Sequence, residues 1–255
     1  MARKPAWVIE KEQAEHASFW LFGLHAVRDA LENPARRKLR LIVTKNAADR
    51  LGDVLATADI TPEIADARKF TAPLDPGSVH QGAALEVRPI NWGSLQDVVP
   101  AEGPARVLLL DRVTDPHNVG AILRSAEVFG ASAVIAPQRH AAPETGALAK
   151  TASGALERQP YLRVKNLSAT MEELKKMGFQ VIGLAGEAEE TLEASLKTAG
   201  ARVALVLGAE GPGLRDKTRA TCDRLARIPF FGTFGSLNVS NAAAISLYAV
   251  ARQEM

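Results

Sequence analysis

Apolar positions along this chain fall into two spacings, and their alternation predicts two successive α/β blocks. Leu24, Val27 and Leu31 recur at helical spacing and stop at Asn33-Pro34, which predicts a helix over 24–31. Leu39-Arg40-Leu41-Ile42-Val43-Thr44 reads as a strand, residues 47–58 as a second amphipathic helix, and Val79 to Val87 as a further strand. With order beginning at Phe19-Trp20-Leu21-Phe22-Gly23, these elements predict a small α/β domain over 18–90. Residues 1–17 are charged throughout and read as a flexible tail. Pro89, Gly93, Pro100, Gly103 and Pro104 mark a linker over 91–104.

Beyond the linker the pattern restarts more strongly. Val107-Leu108-Leu109-Leu110 is a continuous apolar run of the buried-strand kind. Ala133–Ala136, Val181–Leu184, Val203–Leu207 and Ala226–Ile228 supply four more strands. Helices fall between most of them: one over Val119–Phe129, capped by Asn118 and ended by Gly130, and one over Leu167–Met177. An Ala-rich helix opens at Ser236-Leu237-Asn238-Val239-Ser240 and runs to about Arg252. Strands alternating with helices predict a parallel sheet over 105–255. A fragment starting near Pro104 is therefore expected to fold by itself.

Composition narrows the class without naming an activity. Apolar residues make up 47% and charged residues 24%, the balance of a soluble globular protein. No run of about 18 apolar residues predicts a membrane span, and the first residues lack the apolar segment of a secretory signal, so a cytoplasmic location is expected. The single cysteine, Cys222, has no partner for an internal disulfide and no metal-type spacing around it, and reads as a packing residue. A net charge of +2 neither demands nor excludes a nucleic-acid partner. Arg36-Arg37-Lys38-Leu39-Arg40 is a local basic run that suits either phosphate contacts or a solvated turn between helix and strand.

Candidate chemistry gathers at the strand exits of the second block. There is no Gly-x-Gly-x-x-Gly after a first strand, no phosphate loop and no zinc spacing, which excludes the usual dinucleotide, nucleotide and zinc sites. Glycines instead follow three strands: Gly183 with Gly186, Gly208 with Gly211 and Gly213, Gly232 with Gly235. Such exits bring backbone amides and carbonyls around one small ligand. On the helix after Asn118, Val119, Ile122, Leu123 and Ala126 share one face, and Arg124 lies roughly 140° from Val119. Taken alone, that is an ordinary solvent-facing arginine. Glu210, between glycines at a strand's carboxyl end, reads as a site residue or a turn acid. Ser236, Asn238 and Ser240 surround a helix start, and at least one of them reads as its cap.

Three blocks in order carry a more specific signal. Asp115-Pro116-His117-Asn118-Val119-Gly120-Ala121-Ile122-Leu123-Arg124, Leu207-Gly208-Ala209-Glu210-Gly211-Pro212-Gly213-Leu214 and Ile228 to Ala242 closely resemble the three motifs of the SpoU (TrmH) family of SPOUT RNA methyltransferases. Phe22-Gly23-Leu24-His25-Ala26-Val27 and Gly77-Ser78-Val79-His80-Gln81-Gly82 resemble the substrate-binding domain of its ribosomal members, which has an L7Ae-like fold. The likeness covers the chain beyond its tail and runs nearest to members that methylate a guanosine of 23S ribosomal RNA.

The resemblance implies a trefoil-knotted methyltransferase domain that binds S-adenosyl-L-methionine in its knot loops and forms a homodimer. It implies an RNA partner, either 23S ribosomal RNA or a precursor particle, with no DNA, membrane or metal. Matched motif by motif, Asn118, Arg124, Glu210, Ser236 and Asn238 are the implied catalytic residues. Gly208, Ile228 and Leu237 are the implied donor contacts, with Gly208 expected to admit close backbone approach of the donor. Phe230-Phe231 and Phe234 depart from the smaller residues usual in the third motif. A guanidinium is effectively always protonated, so Arg124 is expected to grip a phosphate and polarise the ribose 2'-hydroxyl rather than act as a simple base. A transfer-RNA substrate and a non-catalytic ribosome-assembly role are the competing expectations. The separate first domain argues against the former and the intact catalytic set against the latter.

Overall fold

The computed structural model describes residues 17–232 and 236–254. The expected tail, apart from Ala17, and Thr233, Phe234 and Gly235 of the third block lie outside the described residues. The chain divides into two compact units, one of residues up to Asn91 together with Glu144–Glu157, the other of Trp92–Pro143 with Arg158 onward.

The first unit opens with β1 (Phe19–Phe22), after which Gly23, at φ 88, turns the chain into α1 (Leu24–Glu32). The helix buries Leu24, Val27 and Leu31, the spacing that predicted it, together with Ala26 and Ala30. β2 (Lys38–Thr44) buries its last four residues. The single helix expected over 47–58 is two, α2 (Lys45–Arg50) and α3 (Gly52–Thr57). Between them Leu51 is fully buried and its N–H turns back on the Ala47 and Ala48 carbonyls, which ends the first helix before the poor helix former Gly52. β3 (Pro62–Ala65) is a short, mostly exposed edge strand with no apolar alternation to reveal it. β4 (Ala83–Val87) starts four residues later than the pattern suggested, because Gln81 and Gly82 take positive φ values of 52 and 79. The sheet order is β1-β4-β2-β3, with β2 parallel to β3 and antiparallel to β4.

The stretch expected as a linker is built into the second unit. Ser94 and Asp97 form a reciprocal capping box at α4 (Leu95–Val98), and Leu95 and Val99 join that unit's core. β5 (Ala105–Asp111), α5 (Pro116–Val128) and β6 (Ala133–Pro137) follow.

The chain then returns to the first unit with α6 (Gly146–Ala152) and the 3-10 turn Ala155–Glu157. α6 presses on β1 so closely that a Cβ at Gly146 would stand 2.3 Å from the Phe22 ring. The Arg36 side chain is fully buried and reaches both Glu157 carboxylate oxygens, at 2.8 and 2.9 Å, and the Arg88 carbonyl at 2.7 Å. This corrects both readings of the basic run at its first residue. Arg36 is neither solvated nor available to a phosphate, because a carboxylate 121 positions away lies against it.

The remaining elements are β7 (Tyr161–Val164), α7 (Leu167–Lys176), β8 (Gln180–Leu184), α8 (Leu192–Lys197), β9 (Arg202–Gly208), α9 (Asp216–Thr221), β10 (Arg224–Ala226) and α10 (Val239–Ala251). The sheet is wholly parallel in the order β10-β8-β9-β5-β6-β7, one strand more than the five expected. The extra strand, β7, is an edge with only Tyr161 and Leu162 fully covered, too short a run to stand out. Successive strands leave the β5–β9 pair in opposite directions, which makes it a switch point where ligands gather at strand carboxyl ends. Asp111 and Gly208 lie side by side there.

Candidate active site

Asn118 is not the cap of α5. Asp115 takes that place, its Oδ1 accepting the His117 N–H at 2.9 Å, and Pro116 fills the first helical position, where no donor is needed. Asn118 is thereby one turn inside the helix with its carboxamide released from capping. Its Nδ2 donates to Glu210 Oε1 at 3.1 Å. Asn238 does cap α10, its Oδ1 accepting the Ser240 N–H at 2.8 Å and the Ser240 hydroxyl at 2.6 Å. Its Nδ2 donates to Asn118 Oδ1 at 2.9 Å and to Glu210 Oε1 at 2.8 Å. Three residues from the three separate blocks thus close one hydrogen-bonded triangle, and the carboxylate is its hub.

The loop that carries Glu210 is shaped by two neighbours at the switch point. Gly208 allows the loop to fold back on its own strand: a Cβ there would lie 2.1 Å from the Gly213 carbonyl carbon and 2.4 Å from the Leu214 nitrogen. The close approach expected at Gly208 is therefore made by the protein's own backbone. Gly211 and Gly213, at φ 86 and 68, supply the turn. Asp111 is fully buried and holds Arg215 twice, its backbone N–H at 3.0 Å and its Nε at 2.7 Å. The sequence reading missed Asp111, although an acid ending an apolar strand is a visible signal.

A cavity of about 580 Å³ opens beside this loop, within the size range of small-molecule sites. Residues 184–187, 207–214 and 226–230, following β8, β9 and β10, form its walls together with the start of α10. Gly208, Ile228 and Leu237, the implied donor contacts, all line it, as do Glu210 and Ser236. Three strand exits, glycine-bearing in two cases, supply most of these walls, which suits a ligand met in part by amides and carbonyls. Glu187 and Arg219 also face the cavity as an ion pair, and hydrogen bonding from Arg219 holds the Glu187 carboxyl below its ordinary range. Of the three phenylalanines of the third block, Phe230 lines the cavity, Phe231 is fully exposed, and Phe234 lies outside the described residues.

Arg124 is exposed on α5, roughly 9 Å along the axis and 120° around it from Asn118, while Val119, Ile122, Leu123 and Ala126 are buried as their spacing predicted. It stands on the open face of the helix that carries the triangle. Gly183 is no ligand glycine, since a Cβ there would strike Cys222, Leu225 and Leu214 within 2.9 Å. Cys222 packs in that crowd, and burial pushes its thiol up to about 11. Among the described residues no His, Cys, Asp and Glu side chains cluster as a metal site.

Comparison with known proteins places this geometry. Residues 105–248 match the SpoU rRNA Methylase family, and residues 20–92 match the family described as RNA 2'-O ribose methyltransferase substrate binding. The 23S rRNA (guanosine-2'-O-)-methyltransferase RlmB of Vibrio vulnificus (strain CMCP6) is 38% identical over 242 residues, covering 92% of this chain and 97% of that protein. RlmB of Escherichia coli (strain K12) is 39% identical over 240 residues, covering 91% and 98%. Among solved structures, the SpoU methyltransferase AviRb from Streptomyces viridochromogenes superposes with a TM-score of 0.78 at 25% identity, covering 95% of this chain and 92% of that one. The same enzyme in complex with the cofactor AdoMet gives a TM-score of 0.78 at 24% identity over 96% and 93%, a likeness of fold.

Proposed function

Because this chain belongs to the SpoU rRNA methylase family, we propose that it transfers the methyl group of S-adenosyl-L-methionine to the ribose 2'-oxygen of a guanosine in 23S ribosomal RNA. The observation that carries the reading is Glu210, which lines the cavity and also receives the carboxamides of Asn118 and Asn238. A single carboxylate joins the ligand cavity to the polar triangle. The family-level match to ribosomal enzymes over both units favours ribosomal over transfer RNA.

The cavity fits the donor by its volume and by the glycine-bearing strand exits that line it. Gly208, Ile228 and Leu237 would hold it, and when bound it supplies an already activated methyl group. The chain's own task is to align a ribose oxygen for in-line attack and to ease loss of its proton. Arg124 grips the nucleotide phosphate and polarises the 2'-hydroxyl. Asn118 and Glu210 orient the ribose edge, while Ser236 and Asn238 contact ribose or donor. The buried face of α5 fixes the direction in which Arg124 points.

The second unit also offers a surface for a second copy of the chain. α5 and α10 pack together, with the Phe129 and Tyr248 rings 6.0 Å apart, and leave Val128, Ile245 and Tyr248 open to solvent. Val128 and Tyr248, exposed beside the α5–α10 contact, support the homodimer reading, whereas Ile245 also lines the cavity. No helix among the described residues is long and apolar enough to cross a membrane, and a cytoplasmic location accompanies the ribosomal substrate.

The test is single-turnover methyl transfer from labelled donor to 23S ribosomal RNA and to precursor particles, with the ribose methylation mapped. Methylation at one guanosine is the expected result. A protein that binds no S-adenosyl-L-methionine by calorimetry would overturn the reading.

A further inference from the structure

One end of the first unit's sheet collects a set of side chains that the fold itself leaves uncommitted. β1, β2 and β3 finish at this end and β4 begins there, as the pairs Phe22–Ala84, Thr44–Ala65 and Val43–Ala83 require. Lys45 directly follows Thr44, whose N–H donates to the Gly82 carbonyl at 2.8 Å. Arg68, Lys69 and Phe70 follow the end of β3, and Val79 and His80 lead into β4.

Phe70 and His80 stack with ring centroids 4.2 Å apart and planes within 13°. Neither ring belongs to the buried core, and the adjacent Val79 is 59% exposed. The imidazole is held in place from within: His80 Nδ1 accepts the Gly82 N–H at 3.1 Å, which leaves Nε2–H as the ring's donor. Gly82 is itself held, its carbonyl accepting the Thr44 N–H at 2.8 Å. At φ 79, with Thr44 Oγ1 only 2.4 Å from where a Cβ would stand, the position requires glycine. The stack is therefore pre-formed on a fixed backbone.

Of the earlier basic run only Arg37 is exposed and outside every salt bridge of the described residues. Arg36 is buried against Glu157, Arg40 is bidentate to Glu63 at 2.7 and 2.8 Å, and Lys38 donates to the Asn33 carbonyl at 3.0 Å. Lys45, Arg68 and Lys69 are exposed and stand outside every salt bridge of the described residues. Asp66, the nearest acid in the loop, turns its Oδ1 to the Arg68 backbone N–H at 2.8 Å.

We propose that this end of the sheet is a platform for an unpaired nucleotide of RNA, its base laid on the Phe70–His80 stack and the flanking phosphates met by Lys45, Arg68 and Lys69. The proposal deepens the RNA-methyltransferase reading and rests on it. Aromatic faces accept unstacked bases of any sequence, and recognition of RNA beyond its helices works through such bases. Phosphate contacts fix where the strand lies, and the rigid imidazole adds one directional donor.

The test uses the full chain, a fluorescent RNA hairpin with an unpaired loop, and the blunt duplex of its stem. Phe70→Leu should weaken hairpin binding roughly tenfold or more and leave duplex binding unchanged, and Phe70→Tyr should bind as the parent does. Replacing Lys45, Arg68 and Lys69 together by alanine should flatten the salt dependence of hairpin binding by about two units of the logarithmic slope. Donor calorimetry on each variant should be unaltered, which separates loss of the platform from loss of the enzyme. Undiminished hairpin affinity in Phe70→Leu, equal losses on hairpin and duplex, or an unchanged salt slope in the triple variant would each overturn the proposal. The underlying reading fails by a different result, a parent protein that binds the hairpin but neither binds donor nor methylates RNA.

Discussion

The two units use their polar residues in opposite ways. In the first, a basic run that invites a nucleic-acid reading commits its first residue to structure: Arg36 is buried on Glu157, while Arg37 and Arg40 stay at the surface, Arg40 paired there with Glu63. In the second, two asparagines that read as helix caps belong to a polar network at a cavity. Asp115 relieves Asn118 of capping, and Asn238 caps α10 with one end of its carboxamide while bridging Asn118 and Glu210 with the other. Residue type indicates what a side chain is able to do. What it does is decided by partners far away in sequence, 121 positions for Arg36 with Glu157 and 92 for Asn118 with Glu210.

The sharpest way to break this comparison is at Arg36. Arg36→Ala leaves the Glu157 carboxylate buried without its cation, and should cost the first unit about 3–5 kcal/mol in denaturant unfolding. An unchanged midpoint, with loss only of RNA affinity, would return Arg36 to the phosphate-binding class.

Arg124 tests the opposite case, an arginine that the fold leaves exposed. Arg124→Ala should lower single-turnover methyl transfer on the order of 100-fold or more, with stability altered by less than about 0.5 kcal/mol. Parent-like transfer rates would remove Arg124 from the mechanism.

Gly208 lies between these two. Because a Cβ there meets the protein's own Gly213 backbone, Gly208→Val should shift the Glu210 loop and destabilise the second unit by about 1–3 kcal/mol. Donor affinity should fall in the same variant. Lost donor binding with a parent-like melting curve would mean that the donor, not the loop, fills the space beside Gly208.

Asn238 gives the smallest and most selective effect. Asn238→Ala should cost about 1 kcal/mol through the lost cap, whereas Asn238→Ser keeps a cap and should leave stability nearly unchanged. Neither retains the bridge to Asn118 and Glu210, so both should slow transfer. If the serine variant transfers at the parent rate, capping is the residue's whole task.

The end of the first unit at Asn91 agrees with the expected 90, but the stretch after it shows how local reading fails. Pro and Gly between 89 and 104 suggest a linker, yet Leu95 and Val99 are buried in the second unit's core. A fragment beginning at Pro104 would lose both side chains and would carry Glu144–Glu157 without the unit on which that segment packs. A fragment from Trp92 keeps the former but not the latter. The expectation of a self-sufficient fragment from Pro104 is therefore set aside.

The sequence by itself determined the helices and strands that bury one regular face, among them α1, α5, α7 and the central strands β5, β8 and β9. There the apolar period and the element coincide, because a residue's burial depends on its own face of its own helix or strand. The three blocks were legible for a related reason, since each is a short local stretch whose residues stand together wherever the chain goes. β3 and β7 were not legible, because edge strands bury too little to leave a pattern. The turn at Gln81–Gly82 was hidden too, since positive φ is a demand of the fold rather than a property of the pattern. Only the tertiary structure decided that α6 belongs with the first unit, that Arg36 is structural, that Gly208 yields to Gly213, and that Asn118, Glu210 and Asn238 meet at one oxygen. Each of these is a contact between distant positions, and hydrophobic periodicity records which side of an element is buried but not what is buried against it.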